Sequence, residues 1–237
     1  CELDKNFNIS RCNKIDTSEF DTYEPQWDFV GLEDVRIFRW EGKLYTTGVR
    51  RDLDKIGTGR MELCEIEVGD DYVKEISRFR IPPPNDPNSY CEKNWMPILD
   101  KPYHYVKWSN PTEVVKVDPI NKTSQTVSLS EQISLPRDLR GGSQVLNVGD
   151  FYLACTHEVE LFNSEVGRKD AIYKHRFIVW DKDFKIAFHS KDFDFMDGHV
   201  EFCVGMAKYN KDFLMTFGFQ DNAAYLLRVP QSVVAVS

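Results

Sequence analysis

A single all-β domain covering residues 1–237, built as a five-bladed β-propeller, is the fold predicted, and three features predict it. Helical periodicity is almost absent. Short alternating runs rich in Val, Ile, Phe, Tyr and Trp are separated by turns of Gly, Asp, Asn and Pro. Those runs recur as hairpins at a spacing of roughly 50 to 60 residues, within the range of periods found in propeller blades.

The first kind of hairpin has a polar turn and restarts on a large apolar residue. It occurs at Arg36-Ile-Phe-Arg-Trp-Glu-Gly-Lys-Leu-Tyr45, at Trp95-Met-Pro-Ile-Leu-Asp-Lys-Pro-Tyr-His-Tyr105, at Gln144-Val-Leu-Asn-Val-Gly-Asp-Phe-Tyr-Leu153 and at Val204-Gly-Met-Ala-Lys-Tyr-Asn-Lys-Asp-Phe-Leu214. These are the expected inner hairpins. An outer hairpin follows each one: Met61–Val68, Thr112–Asp118, Phe177–Ile186, and Ala224–Pro230 leading to a last strand at Val233–Val236. At the N-terminus, Glu2-Leu-Asp-Lys-Asn-Phe-Asn-Ile9 has the pattern of Trp180-Asp-Lys-Asp-Phe-Lys-Ile186, so it reads as an outer hairpin with no inner one before it. About five outer and about four inner hairpins imply a first blade that is incomplete at its start, in a chain that is part of a longer polypeptide. Two segments fall outside the repeat. Pro82–Pro87 is a stiff loop, and Phe162–Asp170 is a long polar insertion of the kind that shapes a binding rim.

Composition narrows the function classes. A net charge of −8 argues against a broad basic surface for nucleic acid. No run reaches the roughly 18 consecutive apolar residues of a membrane helix. The cysteines show no zinc spacing, and Cys64, Cys155 and Cys203 sit in apolar runs as expected of buried reduced thiols, which favours a cytoplasmic setting. The sequons at Asn8 and Asn121 are common by chance. No Ser-His-Asp order, HExxH or EF-hand loop occurs, so neither a metal nor an organic cofactor is expected.

In a propeller the inner strands line the axis and their ends open onto one funnel. The residues leading into the inner hairpins are Glu33-Asp34-Val35-Arg36, Glu92-Lys93-Asn94-Trp95, Arg140-Gly-Gly-Ser-Gln144 and His199-Val200-Glu201. The outgoing strands end at Arg50-Arg51-Asp52, Lys107-Trp108-Ser109, Thr156-His157-Glu158 and Gln220-Asp221-Asn222. Polar groups therefore stand at one phase of every repeat, and Asp34, Lys93, His157 and Asp221 are predicted to surround one axis. Each group also has a structural reading. Glu33, Asp34 and Arg36 could form an ion pair capping a strand, His157 could be a satisfied core histidine, His199 a turn residue and Arg51 a solvated strand end. Trp95 and Trp108 could be sugar-stacking faces or buried blade tryptophans.

Glu33-Asp-Val-Arg36 ahead of a hairpin resembles the Glu-Asp-Pro-Arg signature of the five-bladed propellers of the β-mannoside phosphorylase group, glycoside hydrolase family one hundred and thirty. Glu92-Lys-Asn-Trp95, Gly141-Gly-Ser143 with Thr156-His157, and Gly218-Phe-Gln-Asp221 resemble the later blade motifs of that group in the same order. The likeness runs from about Trp27 to Pro230 in short motifs, with Val35 in place of the proline, and extends to propellers found beside glycosyltransferase domains. It implies inverting phosphorolysis of a β-mannoside, with Asp34 as general acid acting through a sugar hydroxyl and with inorganic phosphate as co-substrate. Glu33 and Glu201 are the accompanying acid candidates. Arg36, Arg51, Lys93, Asn94, His157, His199 and Asp221 are the candidates for holding sugar and phosphate. A hydrolase would instead need a second carboxylate about 6.5–9.5 Å from the acid to activate water, with Glu92, Glu158, Glu201 or Asp221 available. The rival from another class is a non-catalytic carbohydrate-binding propeller linked to a glycosyltransferase domain, and a further alternative is a glycosyl transfer enzyme that runs the phosphorolysis chemistry in the synthetic direction. No nucleic-acid or membrane partner is expected.

Overall fold

The computed structural model describes residues 1–135, 137–163 and 169–236, apart from the side chains of Lys169, Ala235 and Val236. Strands β1 (Glu2–Leu3) and β2 (Ile9–Arg11) form a separate two-stranded sheet. In the next sheet β4 (Leu32–Trp40), β5 (Lys43–Arg50), β6 (Arg60–Val68) and β7 (Val73–Arg80) follow one another antiparallel, and β3 (Ile15–Asp16) adds parallel to β7. The second blade is β8 (Met96–Pro97), β9 (His104–Ser109), β10 (Thr112–Asp118) and β11 (Thr123–Leu129). The third is β12 (Leu146–Asn147), β13 (Tyr152–Asn163), β14 (Lys169–Trp180) and β15 (Ile186–His189). The fourth has β16 (Glu201–Tyr209), β17 (Asp212–Phe219) and β18 (Ala223–Pro230), followed by a short helix α1 (Gln231–Val236).

The arrangement is propeller-like, but the described residues make four blades rather than the expected five. The two ends of the chain account for the difference. The expected last strand, Val233–Val236, lies in α1, so the fourth blade stops at three strands. The N-terminal hairpin pairs with no other strand among the described residues and stays a sheet of its own. Its turn nevertheless matches the sequence comparison closely. Asp4 Oδ1 accepts the amides of Asn6 and Asn8 (2.8 and 2.9 Å) with Phe7 at φ 64°, while Asp181 Oδ1 accepts those of Asp183 and Lys185 (both 2.9 Å) with Phe184 at φ 60°. An Asp side chain that binds the backbone ahead of it stabilises this tight reversal in both places.

The apolar core lies between blades. Phe38, Trp40, Tyr45 and Met61 of the first blade pack against Trp95, Tyr105 and Val115 of the second. Met96, Val106 and Val114 pack against Tyr152, Ile178 and Trp180 of the third. Leu153, Cys155 and Phe177 pack against Phe213, Met215 and Phe217 of the fourth. Burying one such tryptophan removes about 200 Å² from water, worth at most about 5 kcal/mol. The indole N–H groups cross the same seams: Trp40 Nε1 donates to Ile98 O (2.9 Å) and Trp180 Nε1 to Thr112 Oγ1 (2.8 Å).

No such cluster joins the fourth blade to the first among the described residues. These blades meet across the axis through polar groups. Gln144 Nε2 donates to Ile37 O on β4, and its Oε1 accepts Met206 N on β16, both at 2.8 Å. Arg36 Nε donates to Gly142 O (2.6 Å). The β1–β2 hairpin spans the outside of this seam. Its Phe7 ring packs edge-on against Tyr209 (5.1 Å between centroids), and Arg11 donates to Gly69 O (2.8 Å).

Cys1 and Cys12 form a disulfide, while Cys64, Cys155 and Cys203 are buried free thiols as expected. No described helix is long and apolar enough to cross a membrane. Residues 164–168 of the expected polar insertion lie outside the described residues. Its two ends are the tips of β13 and β14, which form a long hairpin.

Candidate functional site

A cavity of about 300 Å³ lies where the four blades converge. Asp34 enters it from the first blade, Lys93, Asn94 and Arg140 from the approaches to the second and third, His157 and Tyr173 from the β13–β14 hairpin, and Phe202, Thr216 and Asp221 from the fourth. Asp34, Lys93, His157 and Asp221, predicted from repeat phase to share an axis, all line it.

Local backbone geometry explains how these side chains reach the cavity. The β4–β5 pairing shifts register between Glu33 and Arg36, and Asp34 in that bulge has φ 54°. A bulge breaks strict alternation and re-aims a side chain, so Asp34 points into the cavity while Arg36 is buried beneath it. Asn94 (φ 62°) and Asp221 (φ 50°) are also in the left-handed region. Asp and Asn tolerate that conformation better than other residues with a Cβ, and strained backbone of this kind clusters at sites where a side chain must be placed for a purpose.

Four charged residues rim the cavity: Asp34, Asp221, Lys93 and Arg140. Among the described residues their side chains make no ion pair, although opposite charges face one another across the space. Charges on the blade flanks are handled differently. Arg50 is held by Glu62 (2.8 Å), Arg78 by Glu75 (2.6 Å), and Arg176 by Glu158 (2.8 Å). Uncommitted charges gathered in a concavity mark a site in a way that neutralised pairs do not.

His157 is 2% exposed, stacks on Tyr173 (5.4 Å, 17°) and meets Phe202 edge-on (4.8 Å). Burial holds its imidazole pKa well below the usual range, helped by His175, Arg140 and Arg36, so the ring is neutral near pH 7. Its Nδ1 is buried without a partner. Burial raises the Tyr173 phenol, with Asp34 adding to the shift and Arg140 opposing it, so both charges lie within electrostatic reach of its hydroxyl.

Other expected site residues are placed elsewhere. Arg36 is 1% exposed and committed to Gly142 O (2.6 Å) and Asp34 O (2.8 Å); burial pulls its guanidinium down to about 10. It braces the Asp34 backbone from below. Arg51 donates to Gly57 O (2.9 Å) and Tyr90 OH (2.7 Å) and lies over the Trp27 and Tyr90 rings. Glu201 is fully buried and accepts the amides of Phe195 (2.7 Å) and Met196 (2.9 Å), which leaves its carboxylate bound to a loop. His199 is exposed beside Asp170 (3.9 Å). Glu33 does not line the cavity. Its carboxyl is pushed up by burial and by Asp34, against the pull of Arg51 and Lys93, and Oε1 has no partner.

Sequence reasoning did not single out Arg140, Tyr173 or Phe202. Arg140 stands at the same phase as Lys93, a signal that could have found it. Tyr173 lies between the expected insertion, Phe162–Asp170, and the expected outer hairpin, Phe177–Ile186, in a stretch assigned to neither. Packing requires glycine at both Gly141 and Gly142: a Cβ on Gly141 would collide with Asn94 O, and one on Gly142 with Cys155 O.

A second, adjoining cavity of about 220 Å³ shares Lys93, Asn94 and Arg140 with the first and is completed by Cys91, Glu92, Trp95, Lys107, Trp108 and Gly141. No group of three or more potential metal ligands occurs among the described residues.

No family profile and no curated protein matches the chain. Solved structures do share its fold. A β-1,2-mannobiose phosphorylase from Listeria innocua is 12% identical and superposes with a TM-score of 0.55, covering 86% of this chain and 60% of that one. A glycosyl hydrolase from Bacteroides ovatus is 10% identical with a TM-score of 0.59, covering 85% and 66%. This chain thus spans about three-fifths of the first structure's length. At these identities the likeness concerns the fold.

Proposed function

We propose that this propeller-like domain makes or breaks a glycosidic bond by inverting phosphorolysis, with a β-mannoside as the substrate class. The observation that carries the proposal is the set of four unpaired charges, two acids and two bases, around the first cavity. Asp34 acts as the general acid and gives a proton toward the leaving glycosidic oxygen, directly or through a sugar hydroxyl. A phosphate oxygen attacks the anomeric carbon from the opposite face as the bond to the leaving oxygen breaks. The products are a sugar 1-phosphate of inverted configuration, the free leaving alcohol and the Asp34 carboxylate. Arg140 and Lys93 take the phosphate, the guanidinium through paired N–H groups and the ammonium as a point charge. They replace Arg36, which is buried and bound to Gly142 O and Asp34 O, and Arg51, which is bound to Gly57 O and Tyr90 OH. Neutral His157 keeps one ring nitrogen for a sugar hydroxyl or phosphate oxygen. Tyr173 and Phe202 supply the apolar wall that a sugar ring packs against.

A second reading has one observation in its favour. Asp221 lines the same cavity as Asp34, and a carboxylate opposite the acid would let water replace phosphate in an inverting hydrolysis. One assay separates these readings. A panel of mannosides incubated with and without inorganic phosphate is expected to release mannose 1-phosphate only when phosphate is present. Asp34→Asn is expected to lower that rate by about 10²–10⁴-fold. Phosphate-independent release of free sugar supports the hydrolase, and undiminished turnover by Asp34→Asn removes Asp34 from the mechanism.

A further inference from the structure

The two adjoining cavities differ in charge. In the second, the single carboxylate, Glu92, is already engaged: its Oε2 accepts Trp95 Nε1 (3.2 Å) and lies 3.6 Å from Lys107 Nζ. Lys107 is in turn shared with Glu113 (3.6 Å). The charges left unpaired in its wall are both positive, Lys93 and Arg140, and both stand on the partition between the cavities. Asn94 lies in that partition too, 6% exposed, with a buried Oδ1 that accepts nothing. A buried acceptor without a donor is costly, and in this wall a hydroxyl of a bound molecule would satisfy it. On the far side stands Trp108, at the end of β9 and 45% exposed, whereas Trp40, Trp95 and Trp180 are each about 1% exposed or less.

We propose that the second cavity takes a sugar phosphate monoester. Its phosphate sits at the partition against Lys93 and Arg140, its ring lies on the Trp108 face, and one of its hydroxyls donates to Asn94 Oδ1. An indole face beside two uncommitted cations suits a molecule that is apolar on one side and anionic at one end. The volume of about 220 Å³ corresponds to about seven waters at about 30 Å³ each, room for one sugar ring and little more. This inference rests on the proposed function only for the phosphate position at the partition, and it extends that reading from inorganic phosphate to a phosphate ester. The binding itself requires no turnover.

Calorimetric titration of the whole chain with mannose 6-phosphate, mannose and inorganic phosphate tests it. Mannose 6-phosphate is expected to bind at least tenfold more tightly than either of the others and to be displaced by excess inorganic phosphate. Trp108→Ala should abolish the tenfold advantage over inorganic phosphate while leaving inorganic phosphate binding unchanged. Lys93→Met should weaken both anions and leave mannose unaffected. Both side chains are exposed, and an unaltered thermal melt verifies that each variant folds. Equal affinity for mannose 6-phosphate and inorganic phosphate, or an advantage that survives Trp108→Ala, overturns the proposal. Asp34→Asn should bind mannose 6-phosphate as the parent does. Selective binding by a parent protein that carries out no phosphorolysis would refute the phosphorylase reading alone, and phosphorolysis without selective binding would refute this one alone.

Discussion

Gln144→Leu removes the crossbar that ties three blades together at the axis. The side chain is 6% exposed and makes two hydrogen bonds of 2.8 Å, donating to Ile37 O and accepting from Met206 N. Leucine is of similar size, so the perturbation is mainly polar. Each lost bond leaves a backbone group at the axis without its partner, at about 1–3 kcal/mol apiece, partly offset by the apolar replacement. A net loss of about 2–4 kcal/mol is expected. With a urea m-value of about 3 kcal/mol/M, that is a midpoint shift of about 1 M. Urea unfolding followed by circular dichroism reads this directly, with exposed Gln132→Leu as the control that should shift by less than about 0.2 M. The loss should be large here because, among the described residues, no apolar cluster supports the seam between the first and fourth blades. A shift for Gln144→Leu no larger than the control would mean that the blades are held by something other than this bridge.

Two further outcomes follow from buried charge. Arg176→Met leaves Glu158 buried without its 2.8 Å partner and should cost about 3–5 kcal/mol, measured by the same unfolding curves; a cost below 1 kcal/mol would refute the pairing. His175 is buried and neutral, with burial bringing its pKa from 6.5 to about 4. The unfolded chain therefore binds a proton first as pH falls. The stability from this group is whole above pH 6.5, falls between pH 6.5 and about 4, and is spent below that. At about 1.4 kcal/mol per pH unit the loss comes to about 3 kcal/mol. His175→Gln should flatten the stability profile across that window, and an unchanged slope would contradict the assignment.

Much was legible in the sequence because repeats are local. The polar-turn hairpins at residues 36–45, 95–105, 144–153 and 204–214 all lie in the inner parts of the four blades, and the Asp4 and Asp181 turns share one hydrogen-bond pattern. Hairpin turns depend on a few adjacent residues, so they survive without knowledge of the rest. Repeat phase also placed Asp34, Lys93, His157 and Asp221 together, since phase along a blade fixes height along the axis.

Side-chain direction was not legible. Arg36, Arg51 and Glu201 occupy the right phase, yet each is bound by groups distant in sequence or by loop amides that only folding brings within reach. Alternation alone puts Asp34 and Arg36 on one face of β4, and the bulge at Asp34 is what separates them, one facing the cavity and the other buried beneath it. Blade number likewise depended on the chain ends, where residues 233–236 lie in a helix and β1–β2 pairs only with itself. The sequence alone determined an all-β repeat with a polar group at one height in every blade. Tertiary structure decided which of those groups stay unpaired, because a charge is neutralised by whatever lies within a few ångströms in space, and neighbours in space are not neighbours along the chain.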